Sequence, residues 1–129
     1  KGEPLEIWGD PHRLLETICI YDFLQIIEKA LVSDVDGGIY NVGSGGTTLE
    51  ERVRGIVEVF SPEGKKSEIT YCPEKMNGTQ FVLDIKKTVF ELGYEPKYSW
   101  HDYLVKFKEE METQRFAKIW GREEDYYQL

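Results

Sequence analysis

The sequence has few of the residues from which disulfide frameworks and metal centres are built. Its 129 residues include two cysteines, Cys19 and Cys72, and two histidines, His12 and His101. Neither histidine lies in a Cys/His cluster, so no metal site is expected. Each cysteine lies in an apolar or strand-like segment, which favours buried thiols in a cytosolic chain, with a disulfide as the alternative.

Long apolar runs and an excess of positive charge are also missing. No apolar run approaches the ~18 residues that span a bilayer, and no signal-peptide core opens the chain, so we expect a cytoplasmic protein. The net charge of −8 disfavours nucleic acid and anionic membranes as partners, because both select basic surfaces. An apolar fraction of 40% and a charged fraction of 31% indicate a soluble globular domain.

The central unit of the sequence is residues 38–60. Residues 39–42 (IYNV) are β-prone and are closed by the glycine cluster Gly43–Gly46. Thr47-Thr48 stand three residues ahead of Glu50-Glu51, so either Thr/Glu pair can form a capping box. A helix is then predicted by a stripe at helical spacing, Leu49, Val53, Ile56, Val57 and Phe60. Strand, tight turn and amphipathic helix form the unit of α/β folds.

The glycine cluster does not match the known phosphate-binding motifs. A dinucleotide fingerprint starting at Gly43 requires glycine where Thr48 stands, and a P-loop requires a lysine at the start of the helix. The cluster therefore indicates glycines with positive φ angles at a sharp turn. Anion binding at the helix N-terminus is the alternative.

Strand-like segments and capped helices alternate through the rest of the chain. The strand-like segments are residues 5–8, 17–20, 68–72 and 80–83. Asp22, with Gln25 as its capping-box partner, is predicted to open a helix. The buried stripe predicted for this helix is Phe23, Ile27, Ala30 and Leu31, widened by Leu24 and Ile26.

Two further helices complete the pattern. Asp84 is predicted to cap a helix that ends at Gly93, with Ile85, Val89 and Leu92 facing inward. Ser99 and Asp102 are predicted to open the last clear helix, whose stripe is Trp100, Tyr103, Leu104, Phe107 and Met111. The alternation predicts an α/β domain with short strands and about four helices.

No catalytic site is evident in the sequence. Tyr71 and Lys75 have the Tyr-x-x-x-Lys spacing of short-chain dehydrogenases, in which both side chains must lie on one helical face. Pro73 lies between them in a strand-to-loop context and prevents such a helix. We therefore interpret the match as accidental.

Five segments in order resemble one family. They are LEIWGD (residues 5–10), ICIYD (18–22), GIYNVGSG (38–45), DIKK (84–87) and LGYEP (92–96). Together they are similar to the C-terminal part of the extended short-chain dehydrogenase/reductases, the NAD-dependent nucleotide-sugar epimerases and dehydratases. The resemblance covers residues 1–112 and implies a small C-terminal substrate-binding domain. Residues 113–129 are expected to form a helical or disordered tail.

The resemblance also implies what the chain does not contain. In this family the dinucleotide-binding Rossmann half, with its glycine fingerprint and its catalytic tyrosine and lysine, precedes these motifs. The chain therefore looks like a substrate-binding half that is inactive alone, with no catalytic residue, no metal and no cofactor of its own. NAD is expected in the missing half. The implied partners are a nucleotide-sugar substrate and the Rossmann half, and the intact enzyme is expected to be a homodimer.

The family pattern assigns candidate substrate-binding residues. Residues 6–8 match the segment that lies along the base, where Trp8 either stacks on the base or packs in the core. Residues 15–17 stand where the family has Arg-Asp-aromatic, whose arginine pairs with the diphosphate; a second family arginine stands near Lys75. Arg13 or Lys75 would have to replace these arginines. The candidates are Glu6, Ile7, Trp8, Arg13, Leu15, Thr17, Lys75 and Asn77.

Two functions from different classes remain open. The first is the substrate-binding half of a nucleotide-sugar epimerase or dehydratase. The second is a non-catalytic interaction module that retains the scaffold, for which Leu15 is the supporting feature; a purely structural domain is a third possibility.

The tail contains apolar and aromatic residues that would pack on the missing half or on a second subunit, with disorder as the alternative. They are Phe116, Ile119, Trp120, Tyr126 and Tyr127.

Overall fold

Strands and helices alternate along the chain, which confirms the predicted α/β class. We describe residues 2–120 of a computed structural model. Within these residues the strands are short, and the fifth helix is a single turn. The elements in chain order are β1 (Leu5–Trp8), β2 (Leu14–Leu15), α1 (Ile20–Val32), β3 (Thr47–Thr48), α2 (Leu49–Phe60), β4 (Ile69–Cys72), α3 (Lys86–Leu92), α4 (Trp100–Thr113) and α5 (Ala117–Trp120).

Two small strand pairs organise the fold. β1 and β4 run parallel, with Leu5 opposite Ile69 and Trp8 opposite Cys72, and the connection between them contains α1 and α2. β2 and β3 form an antiparallel pair. The strand-like segment 80–83 contributes only an isolated bridge to β2. Because β1 and β4 are parallel, the loops that follow them leave from the same edge.

The glycine turn and the start of α2 form as predicted. Gly45 and Gly46 have φ angles of 95° and 77°, in the left-handed region that glycine tolerates. Of the two possible capping boxes, Thr48 and Glu51 form theirs. The Thr48 hydroxyl accepts the Glu51 amide at 3.1 Å, and the Glu51 carboxylate accepts the Thr48 amide at 2.8 Å.

α4 packs closely against α2 at Gly55. A Cβ atom at this glycine would lie 3.0 Å from the Leu104 side chain and 3.1 Å from that of Trp100. The predicted stripe of α4 is confirmed, with Leu104 buried and the others partly buried, and so is its Ser99/Asp102 capping box. In α2, by contrast, Ile56 is 39% exposed.

The beginning of α1 differs from the prediction. The helix starts at Ile20 with Cys19 as its N-cap and without a side-chain cap, and residues 17–20 form no strand. Asp22 lies inside the helix and is fully buried. The predicted capping box was wrong because both of its members bond to residues distant in sequence, as the next contacts show.

Asp22 and Gln25 tie α1 to the segment ahead of α4. The Asp22 carboxylate accepts the amides of Lys97 at 3.0 Å and Tyr98 at 3.1 Å. The Gln25 side chain accepts the Glu95 amide and donates to the Glu95 carbonyl, both at 3.0 Å. These bonds decide which face of α1 turns inward.

The predicted buried stripe of α1 was therefore also wrong. Of its apolar residues, Ile26 is buried at 6% exposure, together with Asp22. The rest of the stripe, Phe23, Leu24, Ile27, Ala30 and Leu31, faces outward and is exposed. A helix orients by its tertiary partners, and here the buried carboxylate takes the inner face.

Residues 39–42 also form no strand in the described part of the chain, because no strand of residues 2–120 pairs with them. Tyr40 and Val42 nevertheless pack on the core cluster of Ile26, Leu92 and Tyr94. Tyr40 and Val42 thus face inward as alternate residues of the segment, although the predicted strand does not form.

α3 follows its prediction except at its first residues. Its N-cap is Ile85, while the Asp84 carboxylate accepts the Lys86 amide at 3.0 Å. Leu92 is buried and Ile85 packs on the core, but Val89 is 41% exposed and Thr88 is buried instead. Gly93 ends the helix in the left-handed conformation, as predicted.

The predicted tail is described only in part. α4 reaches Thr113, Phe116 is partly buried, and Ile119 is 78% exposed. Tyr126 and Tyr127 lie outside the described residues. No helix within residues 2–120 combines the length and apolarity needed to cross a bilayer.

Tyr94 is the largest fully buried side chain among residues 2–120. It is 1% exposed, and its hydroxyl donates to the Gly43 carbonyl at 2.9 Å. Burial, with a smaller contribution from the Asp22 and Glu16 carboxylates, raises the Tyr94 pKa to about 12. The residue therefore joins the glycine turn to the core as a neutral phenol.

Replacing Asp22 with alanine should destabilise the fold. The amides of Lys97 and Tyr98 would lose their acceptor, which we expect to lower the free energy of unfolding by about 2–4 kcal/mol in urea denaturation. Asp22→Asn keeps one acceptor oxygen and should lose less. Equal stability of Asp22→Ala and the wild type would contradict the assigned role.

Tyr94 should make stability sensitive to alkaline pH. Because its folded pKa lies above the unfolded value of about 10, its contribution is complete below pH ~10 and is lost as pH rises through about 12. The difference in unfolding free energy between wild type and Tyr94→Phe should therefore shrink over this window in urea titrations. A constant difference would show that Tyr94 does not titrate as expected.

Candidate functional site

The candidate site lies where β1 and β4 end. The Gly9 amide, directly after β1, donates to the Cys72 carbonyl at the end of β4 at 3.0 Å. Gly9 has a φ of 71°, and a Cβ atom there would lie 2.8 Å from the Asn77 Cα. The loop after β1 and the loop after β4 therefore contact each other without space for a side chain at Gly9.

Trp8 forms an exposed aromatic surface at this edge. Its side chain is 48% exposed, and its indole nitrogen donates to the Glu6 carboxylate at 2.7 Å. The Lys75 ammonium lies 5.5 Å from the centroid of the indole ring, within the range of a cation–π contact. Glu6 and Lys75 thus hold the indole between a negative and a positive group.

Arg13 connects the two loops behind the indole. One terminal guanidinium nitrogen donates to the Trp8 carbonyl at 2.7 Å and to the Asn77 side-chain oxygen at 2.9 Å. The same Asn77 oxygen accepts the Asp10 amide at 3.3 Å. The Arg13 Nε is buried without a partner in residues 2–120. One nitrogen of the Arg13 guanidinium is thus engaged in holding the two loops together.

The structure brings together five of the eight candidate residues. Glu6, Trp8, Arg13, Lys75 and Asn77 all lie at the ends of β1 and β4 and contact one another in pairs. The other three, Ile7, Leu15 and Thr17, have different surroundings, which are described next.

Ile7, Leu15 and Thr17 are held by internal contacts. Ile7 is 1% exposed and its side chain belongs to the core. The Leu15 carbonyl accepts from the Arg52 guanidinium at 2.5 Å, and the Thr17 carbonyl accepts from the Ser44 hydroxyl at 2.7 Å. An arginine from α2 thus reaches the backbone at the position where the family pattern has its own arginine.

Glu16 is a structural residue that the sequence reasoning did not select. Its carboxylate accepts the amides of Thr17 at 3.1 Å, Ser44 at 3.0 Å and Leu83 at 3.1 Å. These amides belong to three separate segments. The available signal was its place in the middle of Leu15-Glu16-Thr17, where the family has an aspartate.

Glu16 also decides between the two interpretations of the glycine turn. A Cβ atom at Gly43 would lie 2.7 Å from the Glu16 carboxylate carbon, and the Ser44 amide already donates to that carboxylate. A negative group at the turn repels phosphate. The turn does not fit the pyrophosphate of a dinucleotide, and the structural interpretation of the glycines is supported.

Tyr71 and Lys75 do not form a catalytic pair. The Tyr71 hydroxyl donates to the Glu50 carboxylate at 2.6 Å and accepts from Arg54 at 2.9 Å. The hydrogen bond to Glu50 raises the Tyr71 pKa, which is opposite to what a catalytic base requires. Lys75 lies over the Trp8 ring instead. Within residues 2–120, no group of three or more metal-ligating side chains forms a site.

Comparison with known proteins gives the class of this fold. The chain superposes on the UDP-glucose 4-epimerase of Thermotoga maritima with a TM-score of 0.67 and 26% identity, covering 88% of this chain and 36% of that one. The dTDP-glucose 4,6-dehydratase of Bacillus anthracis shares the fold, with a TM-score of 0.62, 22% identity, and coverage of 92% and 37%. The chain therefore has the fold of a part of the nucleotide-sugar epimerases and dehydratases.

Curated relatives agree with this class. The low-salt glycan biosynthesis protein Agl12 of Haloferax volcanii is 30% identical over 106 residues, covering 81% of this chain and 33% of the relative. A dTDP-glucose 4,6-dehydratase of Xanthomonas campestris is 26% identical over 113 residues, covering 81% and 32%. No family model matches.

These likenesses confirm the resemblance suggested by the sequence motifs, to the C-terminal part of the extended short-chain dehydrogenase/reductases. The chain is homologous to part of a dTDP-glucose 4,6-dehydratase and is similar in structure to part of a UDP-glucose 4-epimerase. It spans about one third of the length of the curated relatives that it matches.

Arg13 should be required for order in the loop after β4. Arg13→Lys keeps the charge, but the lysine side chain is one atom shorter, so its ammonium does not reach the position of the guanidinium nitrogen that bonds both the Trp8 carbonyl and Asn77. We expect faster amide hydrogen exchange in residues 74–80 of this variant. Arg54→Lys, at an arginine paired with Glu50, is the matched control and should leave that loop unchanged. If residues 74–80 exchange equally fast in both variants, Arg13 does not hold this loop in place.

Proposed function

We propose that this chain is the substrate-binding part of a nucleotide-sugar epimerase or dehydratase. Residues 1–112 would form the substrate-binding domain, and residues 113–129 a tail. The cofactor-binding part would lie outside these 129 residues. On this proposal the isolated chain is cytoplasmic, binds no NAD and is inactive, and the intact enzyme is a homodimer.

The convergence of candidate residues at one edge carries the proposal. Trp8 and Lys75 are distant in sequence, yet the Lys75 ammonium lies over the exposed indole at 5.5 Å. An exposed aromatic ring beside a cation suits a ligand that has a planar base and a negatively charged diphosphate. The site also lies beyond the carboxyl ends of parallel strands, where α/β proteins bind ligands.

Each residue of the site has a proposed part in binding. Trp8 would stack on the base, and the backbone of residues 6–8 would lie along it. Lys75, which is exposed, is the cation that can move to the diphosphate. Arg13 would set the distance between the two loops through Asn77 and add its positive charge. The roles of Leu15 and Thr17 would be limited to shaping the wall next to this edge.

In such an enzyme, this part of the protein would position the substrate. NAD, bound elsewhere, would accept a hydride from the sugar and return it. The Trp8 edge would hold the nucleotide, so that the sugar ring reaches the reacting groups in one orientation. None of the residues described here is proposed to transfer a proton or a hydride.

The second candidate is a non-catalytic interaction module that retains the scaffold. It is favoured by Leu15, an apolar residue where the family places a phosphate-binding arginine. The bonds of Arg13 to the Trp8 carbonyl and Asn77 add support, because they occupy the nearest alternative guanidinium. A module of this kind would bind no nucleotide sugar at the Trp8 edge.

Trp8 should be the main contact to the base. We expect UDP-glucose or dTDP-glucose, titrated into the 129-residue chain, to shift amide NMR signals of residues 6–13 and 74–78. Because stacking on an aromatic side chain is worth ~1–3 kcal/mol, Trp8→Ala should weaken binding about 10-fold, and Trp8→Phe should weaken it less. Shifts that avoid both segments would favour the interaction module.

Lys75 should supply charge rather than shape. Lys75→Gln is expected to weaken binding of the nucleotide sugar several-fold at low salt, and this difference should shrink as salt rises. Lys66→Gln removes the same charge from an exposed position on another face and serves as the control. If both variants bind equally, the ammonium of Lys75 does not contact the diphosphate. NAD, titrated in parallel, should give no binding heat.

A further inference from the structure

We propose that Asn77 is a site of spontaneous deamidation, at which the side-chain amide converts to a carboxylate without the help of another enzyme. The reaction would pass through a cyclic succinimide formed with the backbone of Gly78, and Arg13 would promote it. The modification needs only this chain and water. Its expected consequence, a loss of affinity at the Trp8 edge, rests on the proposed function.

The first observation is the pair Asn77-Gly78 itself. A succinimide forms when the backbone nitrogen of the following residue attacks the side-chain carbonyl carbon of an asparagine, and a side chain on that residue obstructs the attack. Gly78 has none. No hydrogen bond within residues 2–120 engages the Gly78 amide, and residues 76–80 belong to no helix or strand. The attacking nitrogen is therefore unhindered and is not held by an acceptor.

The second observation is that the carbonyl of the Asn77 side chain is already polarised. Its Oδ1 accepts from a guanidinium nitrogen of Arg13 at 2.9 Å and from the Asp10 amide at 3.3 Å. Two N–H donors on a carbonyl oxygen stabilise the negative charge that develops there when a nucleophile attacks. The Asn77 Nδ2, which must leave, makes no hydrogen bond within the described residues. The two loops thus supply for Asn77 what an oxyanion hole supplies for a substrate.

The reaction takes place in two steps, ring closure and hydrolysis. The Gly78 nitrogen gives its proton to water and bonds to the Asn77 Cγ, while the carbonyl electron pair moves to Oδ1 beside Arg13. The pair then returns, the Cγ–Nδ2 bond breaks, and the nitrogen takes up a proton and leaves as ammonia. Water opens the ring at Cγ to give aspartate, or at the backbone carbonyl to give isoaspartate. Nothing is oxidised or reduced.

The carboxylate that results would lie inside the candidate site. Aspartate at position 77 would accept a charge-assisted hydrogen bond from the Arg13 guanidinium, so the two loops would stay connected. It would also neutralise the positive charge that Arg13 adds to the site and would repel a diphosphate. We therefore expect aspartate to lower the affinity for a nucleotide sugar through charge alone.

Isoaspartate would in addition change the shape of the loop after β4. It adds one carbon to the backbone at the point where the two loops touch, since a Cβ atom at Gly9 would lie 2.8 Å from the Asn77 Cα. This contact has no space for a longer backbone. We therefore expect isoaspartate to separate residue 77 from Gly9 and from Arg13, with a larger loss of affinity than aspartate causes.

Incubation followed by peptide mapping tests the site. The 129-residue chain should be kept for several weeks at neutral pH and physiological temperature and then mapped by mass spectrometry. We expect aspartate and isoaspartate to accumulate at residue 77. Asn41 is the internal control, because Val42 follows it and its Nδ2 donates to the Asp84 carbonyl at 2.9 Å. Conversion of Asn77 that is no faster than conversion of Asn41 would overturn the proposal.

Two substitutions test the parts of Gly78 and Arg13. Gly78→Ala should convert several-fold more slowly, and the fold can accept it, because the added Cβ would lie 3.4 Å from the nearest atom, the Arg13 Cζ. Arg13→Lys should also convert more slowly than the wild type, although its loop exchanges faster, because Oδ1 loses a donor. Arg54→Lys is the matched control and should convert at the wild-type rate. A wild-type rate in Gly78→Ala contradicts the succinimide route, and an undiminished rate in Arg13→Lys contradicts the promoting role of Arg13.

Binding measurements separate this proposal from the proposed function. UDP-glucose should be titrated by calorimetry into fresh protein, incubated protein and Asn77→Asp. Where fresh protein binds, we expect several-fold weaker binding by the other two, and incubated Gly78→Ala should match its own fresh sample. Equal affinity of fresh protein and Asn77→Asp would show that the modification does not regulate the site. If fresh protein does not bind, the proposed function fails, while peptide mapping still decides whether Asn77 is modified.

Discussion

The parallel ladder between β1 and β4 is the contact on which the candidate site depends. It pairs Trp8 with Cys72, so the two following loops begin side by side although their first residues, Gly9 and Pro73, are 64 positions apart in the sequence. The Gly9 amide extends the ladder by one bond, and Arg13 and Asn77 bridge the loops beyond it. A shift in this register would move Lys75 away from the Trp8 ring, and the residues of the site would no longer contact one another.

Hydrogen-bonded carboxylates, more than apolar stripes, decide how the rest of the chain packs. The buried Asp22 carboxylate binds two amides ahead of α4, and the partly buried Glu16 carboxylate binds amides of three segments. A carboxylate that is shielded from water is costly unless its oxygens are satisfied, so each of these groups permits few arrangements of its neighbours. In α1 this requirement turns most of the apolar residues outward.

Two departures from the family pattern that the sequence resembles, at Leu15 and at Lys75, concern fixed positive charge. Leu15 replaces an arginine, and Arg52 from α2 bonds the Leu15 carbonyl instead. Arg13 is engaged within the loops, which leaves Lys75 as an exposed cation beside Trp8. A lysine offers a mobile point charge rather than a rigid fork. Such a site would hold a diphosphate less strictly than a pair of arginines.

The sequence alone determined the features that depend on neighbouring residues. A Thr/Glu capping box at the start of α2, the positive φ angles in the glycine turn, the left-handed stop at Gly93 and the stripe of α4 were all predicted, because each follows from local backbone geometry or spacing. The family resemblance also singled out Glu6, Arg13, Lys75 and Asn77, which lie around Trp8 in the structure. Only the tertiary structure decided the inner face of α1 and the unpaired state of residues 39–42. Both depend on partners that are distant in sequence. The buried Asp22 carboxylate is satisfied by amides 75 and 76 residues away, and a strand forms only where another strand is available to pair with it.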